Sequence, residues 1–203
     1  MGRRPVSMTH SGGNRVLKRF VLAASVMLAG AAAAAEIPLK NADFEEPMSG
    51  TRLAGWSRTQ HAGVGAYEIS RDAQSFAHGK HSIRMQRTTQ QAYGLIMQPV
   101  ESTGLAGKSI ELTAALKSEH VGRKGWLMVM TFKHHSNILE QAIAQPVTGD
   151  TQWTDVVLTK VVPQGTTTIE IGFMLKDGGT GWADHVRLRT VEDAGPDRSS
   201  GGE

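Results

Sequence analysis

Few residues in this 203-residue chain have types and spacings that could carry chemistry. The first group offers oxygen. Asn41, Asp43, Glu45 and Glu46 lie close together, and Asp184 stands alone in the run Trp182-Ala183-Asp184-His185-Val186-Arg187-Leu188. Asp184 has the parity of Val186 and Leu188, so it is predicted to point inward. A buried lone carboxylate is costly unless it is paired or metal-bound. It could accept backbone N–H groups at a strand end, or serve a hard cation, since Ca²⁺ takes about six to eight oxygens from carboxylates and carbonyls.

The second group combines rings with planar polar side chains. Trp126 lies in 125–133, a stretch apolar on both faces, and Tyr93 lies near Gln90, Gln91 and Gln98. Arg84, Gln86 and Lys117 are predicted to face outward. Rings stack on the C–H faces of sugars while hydroxyls need donors and acceptors. Trp126 and Tyr93 as platforms, with Arg84, Gln86 and Lys117 as hydrogen-bonding partners, therefore suit a glycan on a sheet face. A solvated face with one partly buried Trp accounts for the same residues. Trp56, Trp153 and Trp182 are expected in the core.

The third group is histidine and the acids that could make an enzyme. His134-His135 is a tandem pair, and neighbours on a strand point to opposite faces, so the two are not expected to share a metal. Glu45 and Glu46 diverge for the same reason, which argues against a glycosidase carboxylate pair. No G-x-S-x-G, P-loop or H-E-x-x-H occurs, and the lack of cysteine removes thiol nucleophiles, disulfides and zinc ribbons. A non-catalytic protein is expected, a polysaccharide lyase or hydrolase being the remote alternative.

The elements that must hold these residues follow a period of two. In 167–175, Ile169, Ile171, Phe173 and Leu175 alternate with Thr168, Glu170, Gly172 and Met174. In 109–118, Ile110, Leu112, Ala114 and Leu116 share one face; in 81–87, Ile83 and Met85 do. Further strands are predicted over 67–70, 93–98, 138–144, 154–161 and 182–190, with turn chemistry at Gly79-Lys80, Thr148-Gly149-Asp150 and Asp177-Gly178-Gly179. The expected class is all-β, a two-sheet antiparallel β-sandwich.

Residues 1–35 read as a secretory leader. Arg3, Arg4, Arg15, Lys18 and Arg19 precede the apolar stretch 21–30, and Ala33-Ala34-Ala35 is an A-x-A cleavage site; translation could start at Met1 or Met8. The apolar stretch is too short to span a bilayer, which takes about 20 residues. The leader holds five of the 22 basic residues and none of the 19 acids, leaving a net charge of −2. The basicity thus belongs to export, and no phosphate-tracking cluster or nucleic-acid partner is expected. The domain is expected over 36–190 with a disordered tail over 191–203, in the periplasm or secreted.

Several segments occur in a familiar order: Asn41-Ala42-Asp43-Phe44-Glu45, Gly55-Trp56, Gly79-Lys80-His81-Ser82-Ile83, Gln98-Pro99-Val100, Leu105-Ala106-Gly107-Lys108, Trp153-Thr154, Val162-Pro163, Ile169-Glu170-Ile171-Gly172, and the run 181–188. Over residues 37–190 this order resembles the galactose-binding-domain-like jelly rolls, in particular the carbohydrate-binding modules of bacterial xylanases and cellulases. The resemblance implies a Greek-key jelly roll, a glycan or polysaccharide in a concave groove, and a structural Ca²⁺. It maps the calcium ligands to Glu45 and Asp184, with carbonyls of Asp43 and of the Lys80 region. Asp43 departs from the pattern, standing where a Gly is frequent. The expected function is an exported carbohydrate-binding module, the rival being a structural or protein-interaction module of the cell envelope.

Overall fold

The computed structural model describes residues 1, 2, 34–61, 63–90 and 92–192. The expected leader and tail fall almost wholly outside these. The described residues contain strands and no helix: β1 (Ser57–Gln60), β2 (Tyr67–Asp72), β3 (Ser82–Arg87), β4 (Gly94–Glu101), β5 (Ser109–His134), β6 (Asn137–Ile143), β7 (Val147–Val161), β8 (Thr168–Leu175) and β9 (Thr180–Val191). Among the described residues no helix is long and apolar enough to cross a membrane.

β5 is one 26-residue strand where two had been predicted, and it belongs to both layers. Its first half pairs with β7 and β9, its second half with β8 and β6. The register breaks between Leu116 and Trp126, with His120 and Gly125 at positive φ, and there the strand turns from one layer into the other. The outcome is an antiparallel β-sandwich, a jelly roll, with layers β1-β4-β8-β5-β6 and β7-β5-β9-β3-β2.

Alternation fills the core as expected on β8: Ile169, Ile171, Phe173 and Leu175 all point inward. A chain of rings crosses it, Phe44–Trp56 at 5.3 Å, Trp56–Phe173 at 6.0 Å and Phe173–Trp126 at 5.8 Å between centroids. The segment before β1 lies along β9 through Ile37 N–H to Leu188 O (2.8 Å), Thr190 N–H to Ala35 O (2.8 Å) and Val186 N–H to Ala42 O (3.0 Å). Backbone bonds thus join the first and last segments of the sandwich where disulfides are absent.

β9 departs from simple alternation. Ala183 points inward, and so do Val186 and Leu188, which have the opposite parity. Thr113 pairs with Arg187 and Ala115 with Asp184, so β9 carries one extra residue, a bulge with His185 at φ +53°. The bulge reverses the side-chain facing across it. Trp182, expected in the core, therefore lies on the outer face of the second layer.

Candidate functional site

The sequence-derived ligand residues separate into three places. Trp126 is fully buried; its ring stacks on Phe173 and its indole N–H donates to the Trp182 carbonyl at 2.9 Å. It cannot serve as a sugar platform. The apolar character of 125–133 on both faces was real, but the inward set is Trp126, Met128, Met130 and Phe132, and the outward set is Leu127, Val129, Thr131 and Lys133. Gly181 explains the tight fit: a Cβ there would sit 2.4 Å from the Trp126 ring. Gly181→Ala is therefore expected to cost about 1–3 kcal/mol by overpacking, read as a lowered melting temperature.

Arg84, Gln86 and Lys117 do converge, but on the outer face of the second layer around Trp182. Arg84 lies 5.8 Å from the ring centroid and Lys117 Nζ 4.9 Å. The indole N–H donates to Asp72 Oδ2 at 2.7 Å, and Lys117 Nζ donates to Ser75 Oγ at 2.9 Å. The two cations cover the ring, which is only 5% exposed.

Tyr93 stands on the outer face of the first layer. It packs with Leu95 against a small apolar cluster, Leu127, Val129 and Met174, separate from the main core. His61 tilts against the Tyr93 ring at 5.5 Å. Farther along the same face Lys133 pairs with Glu170 at 3.0 Å, and Gln141 donates to Thr131 Oγ1 at 3.0 Å. The face thus has an apolar floor, an aromatic pair at one end and a polar border at the other. Tyr93 is legible in the sequence and its floor is not, because a stretch apolar on both faces does not say which side is core.

The expected calcium residues lie at the loop Asp72–Ser82. Asp184 is fully buried, and its carboxylate accepts three backbone N–H groups: Ala77 and His78 on Oδ2 at 2.8 Å each, His185 on Oδ1 at 2.7 Å. Burial pushes its carboxyl above the usual range, aided by the charge of Asp43, while the three N–H bonds pull it down. Glu45 Oε1 accepts from Lys80 N–H (2.6 Å) and His81 N–H (3.0 Å), and Oε2 lies 2.8 Å from His81 Nδ1. Gly79, at φ +66°, admits this contact; a Cβ there would lie 2.2 Å from Glu45 Oε1. Arg71 donates to the carbonyls of Phe44 (2.8 Å) and Glu45 (2.6 Å). Ca²⁺ needs these oxygens free, whereas here N–H groups hold both carboxylates and a guanidinium holds the adjacent carbonyls. The Lys80 amide N–H is one of the donors that engage the Glu45 carboxylate. As arranged, these donors do not fit a calcium ion.

The Glu45 carboxyl is lowered from 4.5 to about 2, chiefly by the Lys80 N–H and next by the His81 side chain, against a smaller desolvation penalty. Its contribution to stability is present above the unfolded value and is lost as pH falls from about 4.5 toward about 2. Melting temperatures across that window should drop more steeply for the wild type than for Glu45→Gln.

His134 and His135 also correct an expectation. His135 leaves strand geometry at φ +53°, and the two rings meet edge-on at 4.4 Å instead of diverging.

No family model matches the chain. One curated relative, an uncharacterized HTH-type transcriptional regulator from Bacillus subtilis, is 26% identical over 158 residues. That match takes in 75% of this chain and 52% of the relative, so the chain spans about half the length of the curated relative it matches. With no helix among the described residues, no helix-turn-helix lies there. The fold is shared with a xylan-binding domain from Paenibacillus barcinonensis, 16% identical at a TM-score of 0.56, covering 81% of this chain and 100% of that one. It is shared too with a Stig cyclase from Fischerella sp. TAU in complex with an indole compound, 14% identical at a TM-score of 0.60, covering 78% and 98%. The chain is thus a jelly roll of the kind found in carbohydrate-binding modules, a fold that also carries catalysis.

Proposed function

We propose that this protein is an exported, non-catalytic carbohydrate-binding module, with its ligand on the outer face of β1-β4-β8-β5-β6. The observation that carries this reading is the half-buried pair Tyr93 and Leu95, seated on the buried apolar cluster Leu127, Val129 and Met174 apart from the core and bordered by Lys133–Glu170 and Gln141. A pyranose has the matching character, apolar C–H faces and a rim of hydroxyls. Xylan binding by a protein of the same fold supports the ligand class. In this reading Arg71 takes over calcium's role, its guanidinium tying Phe44 and Glu45 to the sandwich. Adding Ca²⁺ to metal-stripped protein should then leave the melting temperature unchanged.

The test is a glycan array with Tyr93→Ala as the control. The wild type should bind at least one β-linked polysaccharide, and Tyr93→Ala should bind it about tenfold more weakly, equivalent to ~1.4 kcal/mol. An array negative throughout would overturn the proposal. It would favour the second reading, an envelope interaction module. The observation behind that reading is the row of exposed apolar residues Ile138, Leu139 and Ile143 on β6.

A further inference from the structure

The bulge in β9 does more than reverse the parity of Trp182. It brings His185 beside two residues from distant segments, Asp43 ahead of β1 and His78 in the loop between β2 and β3. Their ligand-capable atoms all lie within 4.8 Å of one another. The rings of His78 and His185 are 4.5 Å apart, and His185 Nδ1 is 3.5 Å from Asp43 Oδ1. Ligands on tetrahedral Zn²⁺, with metal–ligand distances near 2.0–2.1 Å, stand about 3.3 Å from each other. The Asp43–His185 pair already has that spacing, and His78 is exposed, so its ring can swing about an ångström closer.

Two further features show that the arrangement is built. One buried carboxylate, Asp184, accepts the backbone N–H of both histidines and so fixes the two ligand-bearing backbones against each other. His185 is also held at φ +53°, which a residue other than Gly adopts at a cost, and that conformation directs its ring toward Asp43 and His78.

A cation position already exists between these acceptors. Arg187 Nη1 donates to Asp43 Oδ1 at 3.0 Å and to the Val186 carbonyl at 2.9 Å, and Nη2 lies 3.2 Å from His185 Nδ1. The guanidinium can donate only, so it meets the lone pair of His185 Nδ1. Two acceptors are thus aimed at one positive group, with a third ligand, His78, beside them.

We propose that Asp43, His78 and His185 form a binding site for a divalent transition metal of the Zn²⁺ class, with Arg187 moving aside on binding. Two imidazoles and one carboxylate select borderline metals over Ca²⁺, which prefers an all-oxygen shell. The site joins three segments distant in the chain, and it is independent of the glycan face.

The test is isothermal titration of metal-stripped wild type with Zn²⁺, and with Ca²⁺ in parallel, together with Co²⁺ absorption spectra. One equivalent of Zn²⁺ should bind and raise the melting temperature, Ca²⁺ should not, and Co²⁺ should give the intense visible bands of a four-coordinate site. His78→Ala, an exposed change that leaves folding intact, and His185→Ala should each weaken Zn²⁺ binding at least tenfold, while Arg187→Gln should strengthen it. Absence of Zn²⁺ binding to the wild type would overturn the proposal. Binding that His78→Ala and His185→Ala leave unchanged would do the same and would point to His134 and His135.

Discussion

Replacing Trp126 with alanine is expected to cost about 4 kcal/mol of folding stability, the range for emptying a buried Trp site. The indole is fully buried, its ring faces Phe173, and its N–H holds the Trp182 carbonyl at a point where β9 turns its side chains over. Truncation leaves a cavity between the layers and removes the indole N–H from the Trp182 carbonyl. Trp126→Phe keeps most of the volume and loses the hydrogen bond, so its cost should be closer to ~1–2 kcal/mol. Denaturant melts of the three proteins check this order. Affinity for a glycan should be unchanged in folded Trp126→Phe, because the ring does not reach the outer face. A mutant that folds normally and loses binding would contradict the placement of Trp126.

The second large effect belongs to Asp184. Its carboxylate is the meeting point of the Asp72–Ser82 loop and the β9 bulge, through Ala77, His78 and His185. Asp184→Ala removes the acceptor of three N–H groups at once. With each abandoned buried donor worth ~1–3 kcal/mol, and the loop donors able to recover water, the expected loss is about 4 kcal/mol. For a domain of this size that corresponds to a melting point lower by about 8–16 °C. Asp184→Asn can still present its carbonyl to Ala77 and His78, leaving its NH₂ opposed to the His185 N–H alone. Its loss should be about half as large. Were Asp184 a calcium ligand, charge would matter more than shape, and the two variants should behave alike once calcium is supplied. Thermal melts of both, with and without Ca²⁺, distinguish the two accounts.

Much of the fold was legible because alternation reports burial directly. On β8 the inward set was assigned residue by residue, and strands β2 to β4, β6, β8 and β9 were placed within three residues of their observed bounds; β7 begins at Val147, seven residues before its expected start, and the turn expected at Thr148-Gly149-Asp150 lies inside it, paired with the irregular stretch of β5. β1 escaped because Ser57-Arg58-Thr59-Gln60 has no apolar alternation; β4 defines it by pairing. β5, expected as two strands, runs on through its register shifts, with Gly125 at φ +81°, without ending. The candidate site was less legible. A bulge with a histidine in the left-handed region has no local sequence signature, and it moved Trp182 from the expected core to the outer face. Trp126 moved the other way, because a strand apolar on both sides does not say which side is core. Asp184 was rightly read as buried, but the bulge gives it the facing of Trp182 and not that of Val186 and Leu188, and its partners, two amides from a distant loop and that of His185, could not be inferred from composition.

The proposed glycan site is the outer face of β1-β4-β8-β5-β6. Methyl-labelled NMR during titration with xylo-oligosaccharide, followed by other β-linked oligosaccharides, tests it most directly. The Leu95, Leu127, Val129 and Met174 methyls should shift together with saturable dependence, while Ile110, Leu112 and Val186 in the core stay still. Shifts confined to the neighbourhood of Trp182, Arg84 and Lys117, or no shifts with any oligosaccharide, would contradict it.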